Sequence, residues 1–315
     1  MKGLGPGRRL TTFAVALACL LYACGSSATS TSVSTTGPQT TTAAGSTAPP
    51  SSTTSSAPED SQTTTVNDLA GELISPGQAV ICMAFGVPRV AIYDSTGEPV
   101  GQSVEFAVEL ARRLSLQPEL RDSIFEDIID SIESGDCDFS VAGHIITLER
   151  LERIDLIPYL KGRQQVVVAF GNPEGVADPT DLCGRMVSSR AGTIQEDLVR
   201  GVGPYEGSGL NDECAATDLP PIELITFPGE MEAVDALLQG TVVAFLGGTT
   251  WLVEYPNDLA LASAVVLPDF SNGIGVRKDH PLLAAALRSA LEAMIADGTY
   301  QAIHNTWGVG QPITP

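Results

Sequence analysis

The chain has 315 residues, with 17 Lys+Arg against 38 Asp+Glu and a formal charge of −21. That balance excludes a nucleic-acid backbone binder, which needs clustered cations, and argues against attachment to anionic lipid through basic residues. With three histidines and no close pair among six cysteines, neither a metal site nor a cofactor is expected.

Lys2, Arg8 and Arg9 precede a mostly apolar run from Phe13 to Ala23. A cationic start and an apolar run too short to span a bilayer comfortably form an export signal. The run ends in Leu21-Tyr22-Ala23-Cys24, which resembles the bacterial lipoprotein cleavage box, so residues 1–23 are expected to be removed and Cys24 lipidated. The alternative is a plain signal peptide with an incidental cysteine. Residues 25–66 contain 24 Ser or Thr among 42 and almost no large apolar side chain. Such a segment cannot offset its ordering entropy and is expected to be a disordered tether, together with Cys24 spanning 24–66. Loss of the cationic signal takes the net charge from −21 to −24, which describes a soluble exported surface and not the charge of a ligand. Export places Cys82, Cys137, Cys183 and Cys214 in an oxidising compartment, where four cysteines allow three pairings.

The globular part alternates strand and helix. Ala79 to Ala84 is an apolar run of buried-strand length. Val104, Ala107, Val108, Ala111 and Leu114 share one helical face, with Ser103 as the expected N-cap. Phe125, Ile128, Ile129 and Ile132 predict a second helix stopped by Gly135, and Asp138 to Gly143 a further strand. The pattern restarts after Gly162, with strands over Gln165–Phe170 and Arg185–Ser189 and a helix over Ile194–Val199 capped by Thr193. An extended segment at Pro220–Phe227, a helix at Met231–Leu238 and a strand at Thr241–Leu246 follow. A periodic closing helix runs from Leu282 to Ile295 with Pro281 at its first position. The fold class is therefore α/β, and two similar-sized α/β units in one exported chain suggest two lobes around a ligand cleft.

Gly143-His144-Ile145-Ile146-Thr147-Leu148-Glu149-Arg150, followed by Ile154-Asp155 and Pro158-Tyr159, is the most specific block. Gly135-x-x-Asp138, Asp181-Leu182-x-Gly184, Gly192-Thr193, Leu238-x-Gly240, Gly273-x-Gly275-x-Arg277-Lys278 and Asp297-Gly298-x-Tyr300 with Trp307-Gly308 accompany it in order. Together they resemble the solute-binding protein family 3, the extracytoplasmic receptors of ABC importers for polar amino acids and related solutes. The resemblance covers about Leu73 to Gly308 and implies the type II periplasmic-binding-protein fold. It also implies ligand contacts at Gly143, Ile145, Thr147 and Arg150 in one lobe and at Gly192, Thr193 and Gly248 in the other. In such a sheet the strands at Cys82 and near Cys137 are neighbours, so the implied disulfides are Cys82–Cys137 and Cys183–Cys214.

Thr147 is a good N-cap with Arg150 in the first turn behind it. A cation there opposes the helix dipole and gains more from a ligand carboxylate than from its own helix. An exposed Arg paired with Glu149 or Glu152 is the alternative. Gly192 lets backbone approach a ligand, and Thr193 presents a hydroxyl at a helix start, or simply caps it. Three departures bear on the solute. Ile145 stands where relatives carry a hydroxyl, the strand Gly240–Gly248 holds no acid to neutralise an ammonium, and Pro88-Arg89-Val90 replaces an aromatic. A buried ammonium without a carboxylate is costly, which argues against a standard α-amino acid. His144 is expected to be solvated or hydrogen-bonded, and Trp251 and Trp307 to be packing residues.

The resemblance implies a non-enzymatic receptor, held outside the cell membrane by Cys24, that closes its lobes over a small carboxylate-bearing solute and delivers it to an ABC permease. Hinges are expected near Gly162–Gln165 and Ser271–Gly275. The alternatives are a dehydratase-like enzyme acting on a cyclic acid, which needs an acid or base that Ile145 and Val243 cannot supply, and a ligand sensor coupled to a membrane partner.

Overall fold

The computed structural model describes residues 69–313, with side chains at all of these except 163, 164, 263, 264 and 266–268. The signal, Cys24 and the Ser/Thr tether lie outside the described residues.

The first lobe begins with β1 (Gln78–Met83), the small hairpin β2 (Ile92–Tyr93) and β3 (Pro99–Val100), α1 (Gln102–Arg113) and β4 (Gln117–Asp122). A 3₁₀ turn at Phe125–Asp127 leads into α2 (Ile128–Ser134), then β5 (Phe139–Ile145) and α3 (Leu148–Arg153). β1 pairs in parallel with β4 and β5, as apolar strands joined by helical crossovers should. Gly135 ends α2 in the left-handed conformation at φ 81°, and α1 starts two residues early, with Gly101 at its N-cap position, so Ser103 lies inside it and caps nothing. Phe106, Leu110, Phe139, Tyr159, Leu287 and Met294 are all essentially buried in the core of this half.

Two long strands then carry the chain across. β6 (Ile154–Ala169) leaves the first lobe, and β10 (Leu259–Arg277) returns antiparallel to it, from Leu259 opposite Ala169 to Arg277 opposite Ile154. Register shifts interrupt the pair between Leu261 and Val266 and between Val266 and Asp269. Between them lie β7 (Met186–Arg190), α4 (Ile194–Arg200), α5 (Leu210–Ala216), β8 (Glu223–Phe227), α6 (Glu230–Leu238), β9 (Ala244–Gly247) and α7 (Trp251–Glu254). α8 (Pro281–Ala296), α9 (Thr299–Trp307) and β11 (Gln311–Pro312) close the first lobe. Among the described residues the main sheet runs β4-β1-β5-β10-β6-β9-β7-β8, with β11 added to β6. The second lobe has its own core, Val166, Val187, Val199 and Leu246 on one face of the sheet and Val167, Phe245 and Trp251 on the other. Burial on both faces accounts for the unbroken apolar runs of these strands.

Cys82 and Cys137 form a disulfide, with Cα atoms 5.8 Å apart, and so do Cys183 and Cys214, at 5.7 Å. The first ties β1 to the segment entering β5, and the second ties a 3₁₀ turn at Pro179–Leu182 to α5.

Candidate functional site

In a parallel sheet the side chains that meet ligand sit at strand C-termini and the turns after them. Both lobes obey that rule, and the two sets of C-termini face one cleft of about 1260 Å³. The first lobe contributes Ser103 from α1 and Val141, Ala142, Gly143 and Ile145 from the end of β5, with Thr147 beyond it. The second contributes Arg190 from the end of β7, Glu230 from the start of α6, and Gly248 to Thr250 after β9. Gln165 of β6 and Asn272 of β10 supply polar groups from the crossing strands.

Gly143, Ile145, Thr147 and Gly248 thus line the cleft, while Arg150, Gly192 and Thr193 stand outside its wall. Thr147 caps α3 by accepting from the Arg150 amide at 3.2 Å. The Arg150 guanidinium donates at 2.9 Å to the Ile145 carbonyl of its own lobe and at 2.9 Å to the Gly192 carbonyl of the other. Burial lowers its pKa, and the carboxylates of Asp197 and Glu149 oppose that shift in turn. The Gly192 amide is taken by the Glu196 carboxylate at 3.0 Å. Thr193 occupies the N-cap position of α4, but its hydroxyl turns inward to donate to the Arg190 carbonyl at 2.7 Å and makes no side-chain cap bond. Gly192 has φ 69°, and a Cβ there would lie 3.0 Å from the Glu126 backbone of the other lobe, so a glycine is required twice over.

Arg190 is the group that sequence reasoning missed. Its side chain is only 12% exposed, its Nε has no hydrogen-bond partner, and its guanidinium carbon sits 3.9 Å from the centroid of the Phe125 ring in the opposite lobe. Burial lowers its pKa, and Glu230 offsets part of that. Arg190 Nη1 and Glu230 Oε2 are 4.0 Å apart, at the outer limit of an ion pair. The other oxygen of Glu230 accepts from the Trp251 indole at 2.9 Å, so Trp251 packs and also orients an acid. The signal for both residues was positional. Arg190 closes a strand just before Gly192-Thr193, and Glu230 opens the helix that follows β8.

His144 is not solvated, and its hydrogen bonding is limited to the backbone of Phe125. It is 1% exposed, and its ring lies flat on Phe125 at 4.6 Å, with neither nitrogen in good hydrogen-bond geometry. Burial drives its pKa well below the usual histidine value, helped by the positive charges of Arg150 and Arg190. Among the described residues no group of three His, Cys, Asp or Glu side chains is arranged to hold a metal ion.

The chain is 24% identical over 235 residues to the L-cystine-binding protein TcyJ of Escherichia coli (strain K12), covering 73% of this chain and 82% of that protein. It is 25% identical over 233 residues to the arginine-binding protein ArgT of Corynebacterium glutamicum, covering 70% of this chain and 71% of that one. Among solved structures, an ancestral arginine-binding protein bound to arginine superposes with a TM-score of 0.62 at 27% identity, over 73% of this chain and 98% of that one. The solute receptor for L-cysteine of Neisseria gonorrhoeae shares the fold at a TM-score of 0.65 and 23% identity, over 77% of this chain and 93% of that one. The fold is the two-lobed type II periplasmic-binding-protein fold, and the family's sequence model matches residues 80–310, nearly the whole globular part. The chain belongs to the bacterial extracellular solute-binding proteins, family 3.

Proposed function

We propose that this protein is the solute receptor of an ABC importer, taking a small amino-acid-like, carboxylate-bearing solute into the cleft, closing over it and presenting it to a membrane permease. The observation that carries the reading is a cleft with wall residues from both lobes, so a solute that touches Ile145 and Thr147 on one side and Gly248 on the other favours the closed arrangement. The relatives named above bind cystine, cysteine or arginine, and their role is binding. Binding and delivery, without turnover, is the role we assign here.

The lobe boundaries follow from the same reading, with 67–164 and 273–315 moving against 165–272 about the stretches where β6 and β10 cross. Lipidation of Cys24 would hold the receptor at the outer face of the membrane, and the tether would give it reach. Isothermal titration of the purified domain with L-cystine, L-arginine, L-histidine and L-glutamine tests the binding role. Micromolar or tighter affinity for one of them supports it, and no heat with any of them counts against it. Cys24→Ala should release the full-length protein from the membrane fraction; retention there would refute the lipid anchor.

A further inference from the structure

The segment Gly240–Gly248 holds no acid, and its Val243 packs against the core of the second lobe. The cleft nevertheless holds a buried carboxylate. Glu230 is 8% exposed, enters from the first turn of α6 and lies beside Arg190. Building on the receptor reading, we propose that Arg190 and Glu230 form the head-group site of this cleft, with Arg190 holding the solute carboxylate and Glu230 its ammonium.

Three observations carry the assignment. The first is spacing. The 4.0 Å between Arg190 Nη1 and Glu230 Oε2 is too long for a charge-assisted hydrogen bond, which closes to about 2.8 Å. In an α-amino acid a carboxylate oxygen and the ammonium nitrogen stand about 2.7 Å apart, by standard bond lengths. A head group laid against the pair therefore completes a four-cornered ring of alternating charge, with both new contacts at about 2.8 Å. The second is hydrogen-bond capacity. Arg150 already spends two N–H groups on the carbonyls of Ile145 and Gly192, whereas Arg190 Nε is buried without a partner. A buried guanidinium with an idle donor is the stronger anchor for a carboxylate. The third is orientation. The Trp251 indole fixes one oxygen of Glu230, leaving Oε2 toward Arg190, and Gly248 keeps the approach open, since a Cβ there would lie 3.3 Å from Glu230 Oε1. Thr250 Oγ1, buried and unpartnered on the same wall, is a further polar contact for the head group.

The test is titration calorimetry on wild type, Glu230→Gln, Arg190→Ala and Arg150→Ala, using the tightest of the four amino acids above, its decarboxylated amine and its deaminated acid. Glu230→Gln keeps an acceptor for the Trp251 indole, and thermal unfolding checks that each variant is folded. The expected result is a loss of about 100-fold in amino-acid affinity for both Glu230→Gln and Arg190→Ala. Glu230→Gln should not weaken binding of the deaminated acid, nor Arg190→Ala binding of the amine; loss of the like charge beside each analogue should tighten it. Wild-type affinity in Glu230→Gln, with binding abolished in Arg150→Ala, would overturn the assignment while leaving the receptor reading intact. Failure of wild type to bind any of the four amino acids would overturn both.

Discussion

Arg150 donates a 2.9 Å hydrogen bond to the carbonyl of Gly192, joining the start of α3 in one lobe to the glycine turn before α4 in the other. Phe125 and Arg190 meet on the same side of the molecule, also across the lobes. Contacts of the protein itself thus join the two lobes, apart from whatever a solute adds.

Arg150→Ala removes a contact that exists only while the lobes are together. Its effect should fall on release, because a bond made after docking slows dissociation and leaves encounter unchanged. A hydrogen bond from a charged donor contributes about 1.5–3 kcal/mol, so the solute off-rate should rise by roughly tenfold or more, with the on-rate within about twofold of wild type. Stopped-flow fluorescence of Trp251, whose indole is bonded to a cleft residue, would follow both rates. Arg150→Lys keeps the charge but cannot reach two carbonyls with a planar fork, and should be intermediate. An unchanged off-rate in Arg150→Ala would show that this bond does not hold the lobes together.

His144 gives the fold a pH dependence with a definite sign. Its folded pKa lies well below 6.5, so the unfolded chain binds the proton first. The stability that depends on its neutral form is complete above about pH 6.5 and is lost as pH falls from there toward the folded value, at up to about 1.4 kcal/mol per pH unit. Burial lowers His304 in the same direction, so the wild-type curve contains both. His144→Phe keeps a ring against Phe125 and removes the titration. The difference between wild-type and variant unfolding free energies should therefore shift by about one proton's worth between pH 7 and pH 5. Parallel curves would show that His144 protonates without cost.

The two disulfides close loops of 55 and 31 residues, which by loop entropy alone correspond to about 4 kcal/mol each. Cys214 is 1% exposed in the core of the second lobe, and Cys82 is fully buried in the first. Replacing Cys183 and Cys214 together by serine should lower stability by that order in chemical denaturation, measured with the other bridge intact. Adding reductant to wild type should cost more than either double variant alone. A variant as stable as wild type would mean that its bridge constrains nothing.

Alternation of strand and helix could be read from the chain because it rests on local pattern. The closing helix is marked by Leu283, Leu287, Leu291 and Met294 at helical spacing and by Pro281 at its first position, and it folds at Pro281–Ala296 as that pattern requires. The long strands β6 and β10 were only partly visible. Ile154 to Lys161 reads as the tail of a motif, and β10 owes its length to pairing with β6, a non-local partner that no window of sequence contains. The site divides in the same way. Thr147 caps its helix as its neighbours dictate, whereas the partners of Arg150 are carbonyls 5 and 42 residues away. Glu230 carries no local signal of a cleft acid, because it reaches the cleft from the helix before the acid-free segment Gly240–Gly248. The burial of His144 depends on Phe125, which arrives from a different element.

Asp138 joins sequence, fold and energetics at one position away from the cleft. Its side chain is buried at the entrance to β5, where Oδ1 accepts from the Ile74 amide at 2.8 Å and Oδ2 from the Val80 amide at 2.7 Å. One carboxylate thereby satisfies two backbone donors that belong to β1 and to the segment leading into it, which accounts for an acid three residues after Gly135. Burial raises its pKa, and the two accepted bonds only partly offset that. Asp138→Ala leaves both amides without a partner, each at a cost of about 1–3 kcal/mol, so the variant should lose roughly 2–5 kcal/mol in denaturant unfolding. Asp138→Asn keeps one acceptor oxygen but turns an N–H toward the other amide, and should lose about half as much. Because Asp138 lines no part of the cleft, solute affinity measured on the folded fraction should stay within about twofold of wild type. A large affinity loss without a stability loss would place this carboxylate in the binding machinery, against the geometry described above.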